Sequence, residues 1–271
     1  MRSFRDQRVL ITGATRGLGR LIAETFATEG ASVILWGRNA AALEAVVKPM
    51  TERGRVCAAY VCDVADREQV YATARRVIRE HGPIDILINS AGVVSGKPLL
   101  EIRDEAIENS FAVNSLALFW TTRAFLPAMI ERGHGHIVTI ASAAGLIGTP
   151  FLTDYAASKH AAVGFDDALR CELRHLGHQN IRTTAVCSYY ISTGMFDGAA
   201  AATPLFPILT PEYATRRIVE AIRRGRRRLL LPGTVIAVYL IRLLPTPMFD
   251  WIARVLGVAK SMDNFKGRGS A

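Results

Sequence analysis

The stretch that decides the fold is Thr12-Gly13-Ala14-Thr15-Arg16-Gly17-Leu18-Gly19. The four residues before it, Arg-Val-Leu-Ile at 8–11, form a short apolar run that stops at a glycine turn, as a buried strand does. After it, Leu18, Leu21, Ile22, Thr25 and Phe26 recur at helical spacing until Gly30 ends the pattern. A strand that turns through glycines straight into a helix leaves the first amides of that helix unpaired, at the positive end of its dipole. Glycines also let a ligand approach the backbone closely. The arrangement suits a pyrophosphate, with Gly13, Thr15, Arg16, Gly17, Leu18 and Gly19 as the candidate residues of a dinucleotide cradle.

Outward from this loop the same alternation continues. Apolar runs predict strands at 32–36, 55–62, 84–89, 135–142, 181–187 and, as a last edge, 229–231. Helical spacing predicts helices at 40–51, 66–81, 153–176 and 211–224, with a helix pair in 99–132 that breaks near Pro127 and Gly133. Continuous apolar strands separated by helices imply an α/β fold, a Rossmann-type doubly wound parallel sheet flanked by helices. Residues 1–271 are read as a single dinucleotide-binding catalytic domain. Within it, 195–211 carries Pro204, Pro207 and Pro211 without clear periodicity, which predicts a lid over a substrate site. The segment 229–271 is an apolar C-terminal extension. Its longest uncharged stretch, 229–241, is interrupted by Pro232-Gly233 and falls short of the roughly 20 residues that a spanning helix needs.

Composition excludes several classes. Half of the 271 residues are hydrophobic and 21% are charged, which leaves no case for a mostly disordered chain. Cys57, Cys62, Cys171 and Cys187 form no CxxC and no metal-ligand spacing, so they are expected as buried thiols in a reducing compartment, with no metal. The polar start of the chain reads as no signal peptide and predicts a cytoplasmic protein. The net charge of +9 is concentrated at Arg223, Arg224, Arg226, Arg227 and Arg228. That cluster is expected as a solvated helix end, with contact to anionic lipid second. No zinc-finger, RNP-type or helix-turn-helix pattern supports a nucleic-acid partner.

The second strand ends in Trp36-Gly37-Arg38. Selection of NAD usually places a carboxylate there for the ribose 2′-hydroxyl, which Gly37 cannot supply. Arg38, with Arg16 from the loop, suits a 2′-phosphate dianion, so NADP(H) is favoured, with NAD(H) as the alternative. Tyr155 and Lys159 lie four residues apart on a predicted helix and share a face. A free phenol ionises near pH ~10, too high for a base near neutrality. A neighbouring ammonium and an oxidised nicotinamide are expected to lower it. Ser142 closes the fifth main strand, where a parallel sheet presents its ligand crevice.

These residues resemble the short-chain dehydrogenase/reductase family over nearly the whole chain. The resemblance rests on Thr12 to Gly19, Asp63-Val64, Asn89-Ser90-Ala91-Gly92, Asn114, Ser142, Tyr155-Ala-Ala-Ser-Lys159, and Ile191 with Thr193. It implies that Asp63 and Val64 sit by the adenine. Asn89, Ala91 and Gly92 would stabilise the central sheet beside the cofactor, and Asn114 would hold a water in a proton relay. Lys159 would also bind the nicotinamide ribose, and Ile191 and Thr193 the carboxamide. Ser142 would bond the substrate oxygen while Tyr155 exchanges the proton and hydride passes to or from nicotinamide C4. Two departures stand out: Ser90 replaces the second Asn of an Asn-Asn-Ala-Gly motif, and Ser188-Tyr189 replaces a Pro-Gly that borders the substrate.

Three further stretches, Ser192-Thr193-Gly194-Met195-Phe196, Leu209-Thr210-Pro211-Glu212-Tyr213 and Ser261-Met262-Asp263-Asn264-Phe265, resemble the branch of epidermal retinol dehydrogenases and 17β-hydroxysteroid dehydrogenases. That branch commonly has Asp where Gly37 stands. The likeness implies a bulky lipophilic alcohol, ketone or aldehyde as substrate, and a homodimer or homotetramer built on the 99–132 and 153–176 helices. Tyr189, Tyr190, Met195, Phe196, Leu205 and Phe206 are the candidate pocket residues, with simple packing of the lid as the other reading. Arg223 to Arg228, followed by Tyr239, Leu240, Leu243, Leu244, Phe249 and Trp251, fits peripheral membrane contact. Packing against the domain itself or a second subunit is the alternative. A carbonyl reductase of broad specificity and a non-catalytic NADP(H)-binding or membrane-surface protein are the rival functions. The intact Ser142, Tyr155 and Lys159 set weighs against the second.

Overall fold

The computed structural model describes residues 3–201 and 203–267. Residue 202 of the expected lid and residues 268–271 of the expected extension lie outside them. The strands are β1 (Arg8–Thr12), β2 (Ser32–Gly37), β3 (Cys57–Val61), β4 (Ile86–Asn89), β5 (Gly135–Ile140), β6 (Ile181–Ser188) and β7 (Arg228–Leu231). All pair in parallel, in the order β3-β2-β1-β4-β5-β6-β7. The chain therefore winds outward one way to β3 and the other way from β4. The crevice between the ends of β1 and β4 is the switch point at which such sheets bind ligands.

Helices α1 (Gly17–Thr28), α2 (Ala40–Glu52) and α7 (Pro211–Arg223) cover one face of the sheet. There Ile22, Phe26, Leu43, Val46, Ile218 and Ile222 pack on Val9, Ile11, Val33 and Leu35. On the other face, α3 (Arg67–His81), α5 (Ala117–Glu131) and α6 (Thr153–His175) bring Val70, Val77, Phe125, Met129, Leu169 and Leu173 onto Leu10, Ile34 and Leu87. The i, i+4 spacing of pairs such as Ile22 and Phe26 makes these stripes, since alternate strand residues feed opposite layers. Asn39, Asp66 and Thr210 cap α2, α3 and α7 by accepting amide hydrogen bonds, which satisfies donors that helix geometry leaves unpaired.

Four local expectations change. The third strand is shorter than 55–62, because Val56 is exposed ahead of it and Cys62 follows it into the crevice. Pro127 does not break its helix: α5 runs through it to Glu131, held by Phe125 and Met129 in the core. The interruption falls earlier, where α4 (Asp104–Phe111) passes into a π-helical turn at Ala112–Leu116 before α5 begins. The thiols are not uniformly buried, since Cys171 is exposed and Cys57 half-buried.

After α7 and β7 the chain forms α8 (Ala237–Ile241) and α9 (Thr246–Val255). These are the α-helical part of the apolar extension among the described residues. They lie over the end of the sheet at which Ser142 and Ser188 emerge, and pack on Leu146, Ile147 and Phe206.

Candidate active site

The site begins at the close approach of two loops. Thr12 Oγ1 accepts hydrogen bonds from the amides of Ser90 (3.0 Å) and Ala91 (3.1 Å), which ties the end of β1 to the loop after β4. A Cβ on Gly13 would come 2.7 Å from Ala91 Cα, and one on Gly19 would come 2.5 Å from the Gly13 carbonyl oxygen. Neither glycine can be replaced without moving backbone, and Gly13 and Gly17 also hold left-handed conformations. The result is a backbone-walled cradle at the N-terminus of α1, lined by Gly13, Thr15, Arg16, Leu18 and Gly19. Its donors are amides and guanidinium, which is the chemistry that a dinucleotide pyrophosphate needs. Arg38, Asp63 and Val64 line the same cavity toward β2 and β3, with Arg38 Nη1 3.9 Å from Asp63 Oδ2.

From the cradle the cavity runs over the ends of β4, β5 and β6. Ala91, Gly92, Ser142, Tyr155, Lys159, Ile191 and Thr193 border it. Ser142 sits just past β5. Its hydroxyl donates to the Ser188 carbonyl (3.4 Å) and accepts from the Ala144 amide (3.1 Å). Tyr155 and Lys159 are on the first two turns of α6, both buried. The Lys159 Nζ lies 5.7 Å from the Tyr155 ring centroid.

Burial acts on both groups of the pair. It pushes the Tyr155 phenol up to about 12, and the hydrogen bond with the Ser142 hydroxyl offsets only part of this. The same burial pulls the Lys159 ammonium down to about 8. Removal from water penalises whichever form carries charge, the phenolate of Tyr155 and the ammonium of Lys159 alike.

Two sequence candidates lie behind the cavity wall. Asn89 accepts from Thr121 Oγ1 (2.8 Å) in the sheet. Asn114, in the π-turn, accepts from the Val93 amide (2.9 Å) and donates to the Val93 carbonyl (2.9 Å) and Ser158 Oγ (3.0 Å). Both amide hydrogens of Asn114 are thus committed within the protein. Among the pocket candidates, Tyr189, Tyr190, Met195, Phe196 and Phe206 line the cavity. Leu205 does not: its side chain is 57% exposed, turned outward where its carbonyl accepts from Thr234 Oγ1.

Sequence reading missed the far wall. Val238, Ile241, Ala253 and Leu256, from α8, α9 and the end of α9, close the apolar end of the cavity. Their i, i+3 spacing was the available signal. It also missed Asp154, buried beside Tyr155, which accepts from Ser95 Oγ (2.7 Å) and Ser110 Oγ (2.6 Å) and so fixes the start of α6 to α4 and to the loop after β4.

Comparison with known proteins gives the family. The family model described as short chain dehydrogenase matches residues 7–203, and the chain belongs to that family. Its relatives place it in the retinol dehydrogenase branch, and it is an oxidoreductase acting on alcohols and carbonyls. Human epidermal retinol dehydrogenase 2 is 45% identical over 260 residues, covering 95% of this chain and 84% of the relative. A short chain dehydrogenase/reductase from Burkholderia phymatum, solved in complex with NAD, superposes with a TM-score of 0.81. It is 28% identical and covers 90% of this chain and 95% of its own. A variant of actinorhodin polyketide ketoreductase, solved with NADPH, superposes with a TM-score of 0.77 at 30% identity, covering 87% and 99%.

Proposed function

We propose that this chain interconverts a bulky lipophilic alcohol with its aldehyde or ketone, with NADP(H) preferred over NAD(H) and Tyr155 as the acid–base group. The observation that carries this reading is the convergence of Ser142, Tyr155 and Lys159 where the glycine cradle opens into an apolar cavity. A bound nicotinamide supplies the hydride acceptor in oxidation and the donor in reduction. The amides of residues 13–19 would hold the pyrophosphate, Asp63 and Val64 the adenine side, Ile191 and Thr193 the carboxamide, and Lys159 the nicotinamide ribose. Arg16 and Arg38 supply the two cations that favour a 2′-phosphate.

Ser142 donates a hydrogen bond from its hydroxyl to the substrate oxygen and so aims the reacting carbon. Tyr155 gives its phenolic proton to a carbonyl in reduction and takes the alcohol proton in oxidation, and the Lys159 ammonium stabilises the phenolate. Asn114 acts through the backbone it holds, keeping the Val93 loop and Ser158 in place around the lysine. Tyr189, Tyr190, Met195, Phe196 and Phe206, with the α8–α9 wall, exclude water and select an apolar substrate. Residues 195–211 serve as the lid of a single catalytic domain.

Two partners complete the proposal. Leu240 (66% exposed), Leu243 (82%) and Trp251 (63%) form the outer face of α8, α9 and their connection, with Arg242 and Arg254 among them; this is the composition of a segment resting on a membrane surface. Among the described residues no helix is long and apolar enough to cross a membrane. The proposed location is cytoplasmic, peripheral to a membrane. Leu116 and Phe119 are exposed on the π-turn and α5, with Phe119 packed 4.7 Å from Phe165 of α6, and this face supports a homodimer or homotetramer.

The test is turnover of retinoid, steroid, long-chain and aryl alcohols and of their carbonyl products, followed at 340 nm with each cofactor. Tyr155→Phe should lower kcat about a hundredfold or more while leaving cofactor binding intact. A Tyr155→Phe variant with full activity, or turnover confined to small polar sugars, would overturn the reading.

A further inference from the structure

We propose that the C-terminal strap, residues 261–265, positions the aromatic wall beside Tyr155 and thereby sets the preference for bulky substrates. The inference rests on the functional reading above, because it concerns the substrate end of the same cavity.

The strap is fastened to the loop after β6 at several points. The Ala200 amide donates to the Ser261 carbonyl (2.8 Å), and the Lys266 amide donates to the Asp197 carbonyl (2.8 Å). Ser261 and Met262 are both only 2% exposed. Two glycines make room for the contact. A Cβ at Gly96 would strike the Phe265 ring and one at Gly198 would strike the Asn264 carbonyl, and both glycines hold left-handed conformations. Strap, loop and cavity rim are thus shaped to one another.

Each anchor reaches the site through one aromatic ring. The Ser261 hydroxyl has one proton, which it donates to the Val258 carbonyl (2.9 Å). Tyr190 must then be the donor in its 3.1 Å contact with Ser261 Oγ. Burial keeps that phenol protonated far above neutrality, so the bond persists at every working pH. Phe265 packs on Phe196 with ring centroids 6.4 Å apart, and Phe196 packs on Tyr190 (4.9 Å) and edge-on to Tyr155 (5.6 Å). Neither Ser261 nor Phe265 lines the cavity, whereas Tyr190 and Phe196 do. Ser261 and Phe265 are therefore positioning residues: they fix two rings that a long apolar substrate must pass, and they leave the Ser142–Tyr155–Lys159 geometry to β5 and α6.

The experiment compares all-trans-retinol with 3-methylbut-2-en-1-ol, which presents the same allylic alcohol without the long apolar body. In the full chain, Phe265→Ala should raise KM for retinol about tenfold, the scale on which an apolar pocket discriminates by shape, with kcat for the short alcohol within about twofold of the parent. Ser261→Ala, which removes a single oxygen and carries the test if Phe265→Ala folds poorly, should shift KM in the same direction. Phe265→Tyr and Ser261→Thr should restore the parent values. Parallel loss on both alcohols, or an unchanged KM for retinol, would refute the proposal. Failure of the functional reading shows separately, as a parent enzyme that turns over neither alcohol nor any other member of the lipophilic panel, and the proposal then falls with it.

Discussion

Lys159 Nζ donates a 2.8 Å hydrogen bond to the Ile140 carbonyl at the end of β5, and that bond fixes the ammonium beneath the Tyr155 ring. The carbonyl meets one donor of three, and burial still pulls the lysine from 10.5 to about 8. A base whose folded pKa lies below its unfolded value destabilises the fold fully at pH below the folded pKa, and the penalty fades as pH climbs toward the unfolded one. The window here is pH 8 to 10.5. Lys159→Met should therefore stabilise the protein at pH 7 by about 2 kcal/mol, the burial penalty less a lost hydrogen bond. This amounts to a rise of several degrees in Tm, of order 2–4 °C per kcal/mol for a chain near this size. Thermal unfolding at pH 7 and pH 10 checks it: the gain should shrink at the higher pH, and a Met variant that melts lower at pH 7 would contradict it.

The same pair sets the pH dependence of turnover. Tyr155 holds its proton up to about 12, so the acid that carbonyl reduction needs is present throughout the working range. Lys159 is the group that titrates, near 8, and with it goes the charge that stabilises the emerging phenolate. Reduction should run level below pH 8 and fall above it. Oxidation needs the Tyr155 phenolate paired with a charged Lys159 and should climb with pH up to about 8, then level off. Lys159→Arg keeps its charge, and any residual reduction in that variant should lose the downturn near pH 8. Initial rates in both directions from pH 6 to 10 decide it.

Much of this site was legible because its parts are local. The turn from β1 into α1 needs Gly13 and Gly19 within eight residues, and the Tyr155–Lys159 pair needs only one helical turn, so chain order alone displays both. What depends on depth or on distant packing was not legible. The sign of the Tyr155 shift is set by how completely α6 is covered, which no spacing records. The α8–α9 wall comes from a segment interrupted by Pro232-Gly233 and Pro245, whose apolar residues divide between an inner and an outer face only once they pack on β7 and Phe206. Leu205 and Phe206 are adjacent and equally apolar, yet one faces solvent and the other the cavity, and the Thr234 hydroxyl that bonds the Leu205 carbonyl lies 29 residues further along the chain. The Asp154 clamp joins residues 44 and 59 positions apart, beyond the reach of any local pattern.

Cofactor choice turns on Arg38 and on the space beside Gly37. Arg38→Ala should lower kcat/KM for NADPH about tenfold to a hundredfold, the worth of one charge-assisted phosphate contact, and leave NADH within a few fold. Introducing the carboxylate directly is harder than it looks. A Cβ at Gly37 would lie 2.6 Å from the Thr15 methyl, so Gly37→Asp alone forces the Thr15 side chain to shift within the glycine loop. It should impair both cofactors. Adding Thr15→Ser removes that methyl, and the double variant should then favour NADH. Steady-state kinetics with both cofactors on the four proteins would settle it, and an Arg38→Ala variant with unchanged NADPH kinetics would remove the arginine argument.

The membrane proposal yields a salt prediction that the sequence alone would have stated differently. Of the five clustered arginines, Arg223 pairs with Glu29 and Glu220, Arg224 with Glu220, and Arg228 with Asp167 and the Tyr239 hydroxyl. Much of that charge is neutralised within the fold, so the exposed apolar face of α8 and α9 should carry most of the binding. Burying a side chain such as Leu243 or Trp251 is worth about 1.5–3 kcal/mol. Leu243→Glu or Trp251→Glu should accordingly weaken sedimentation with phosphatidylcholine vesicles by tenfold or more. Raising salt from 0.1 to 0.5 M should weaken binding to vesicles containing phosphatidylserine only a few fold, because screening acts on the few arginines left outside ion pairs. Both variants should keep the parent kcat on 3-methylbut-2-en-1-ol, since neither side chain borders the cavity. Binding that survives both substitutions but collapses in salt would return the contact to the arginine cluster.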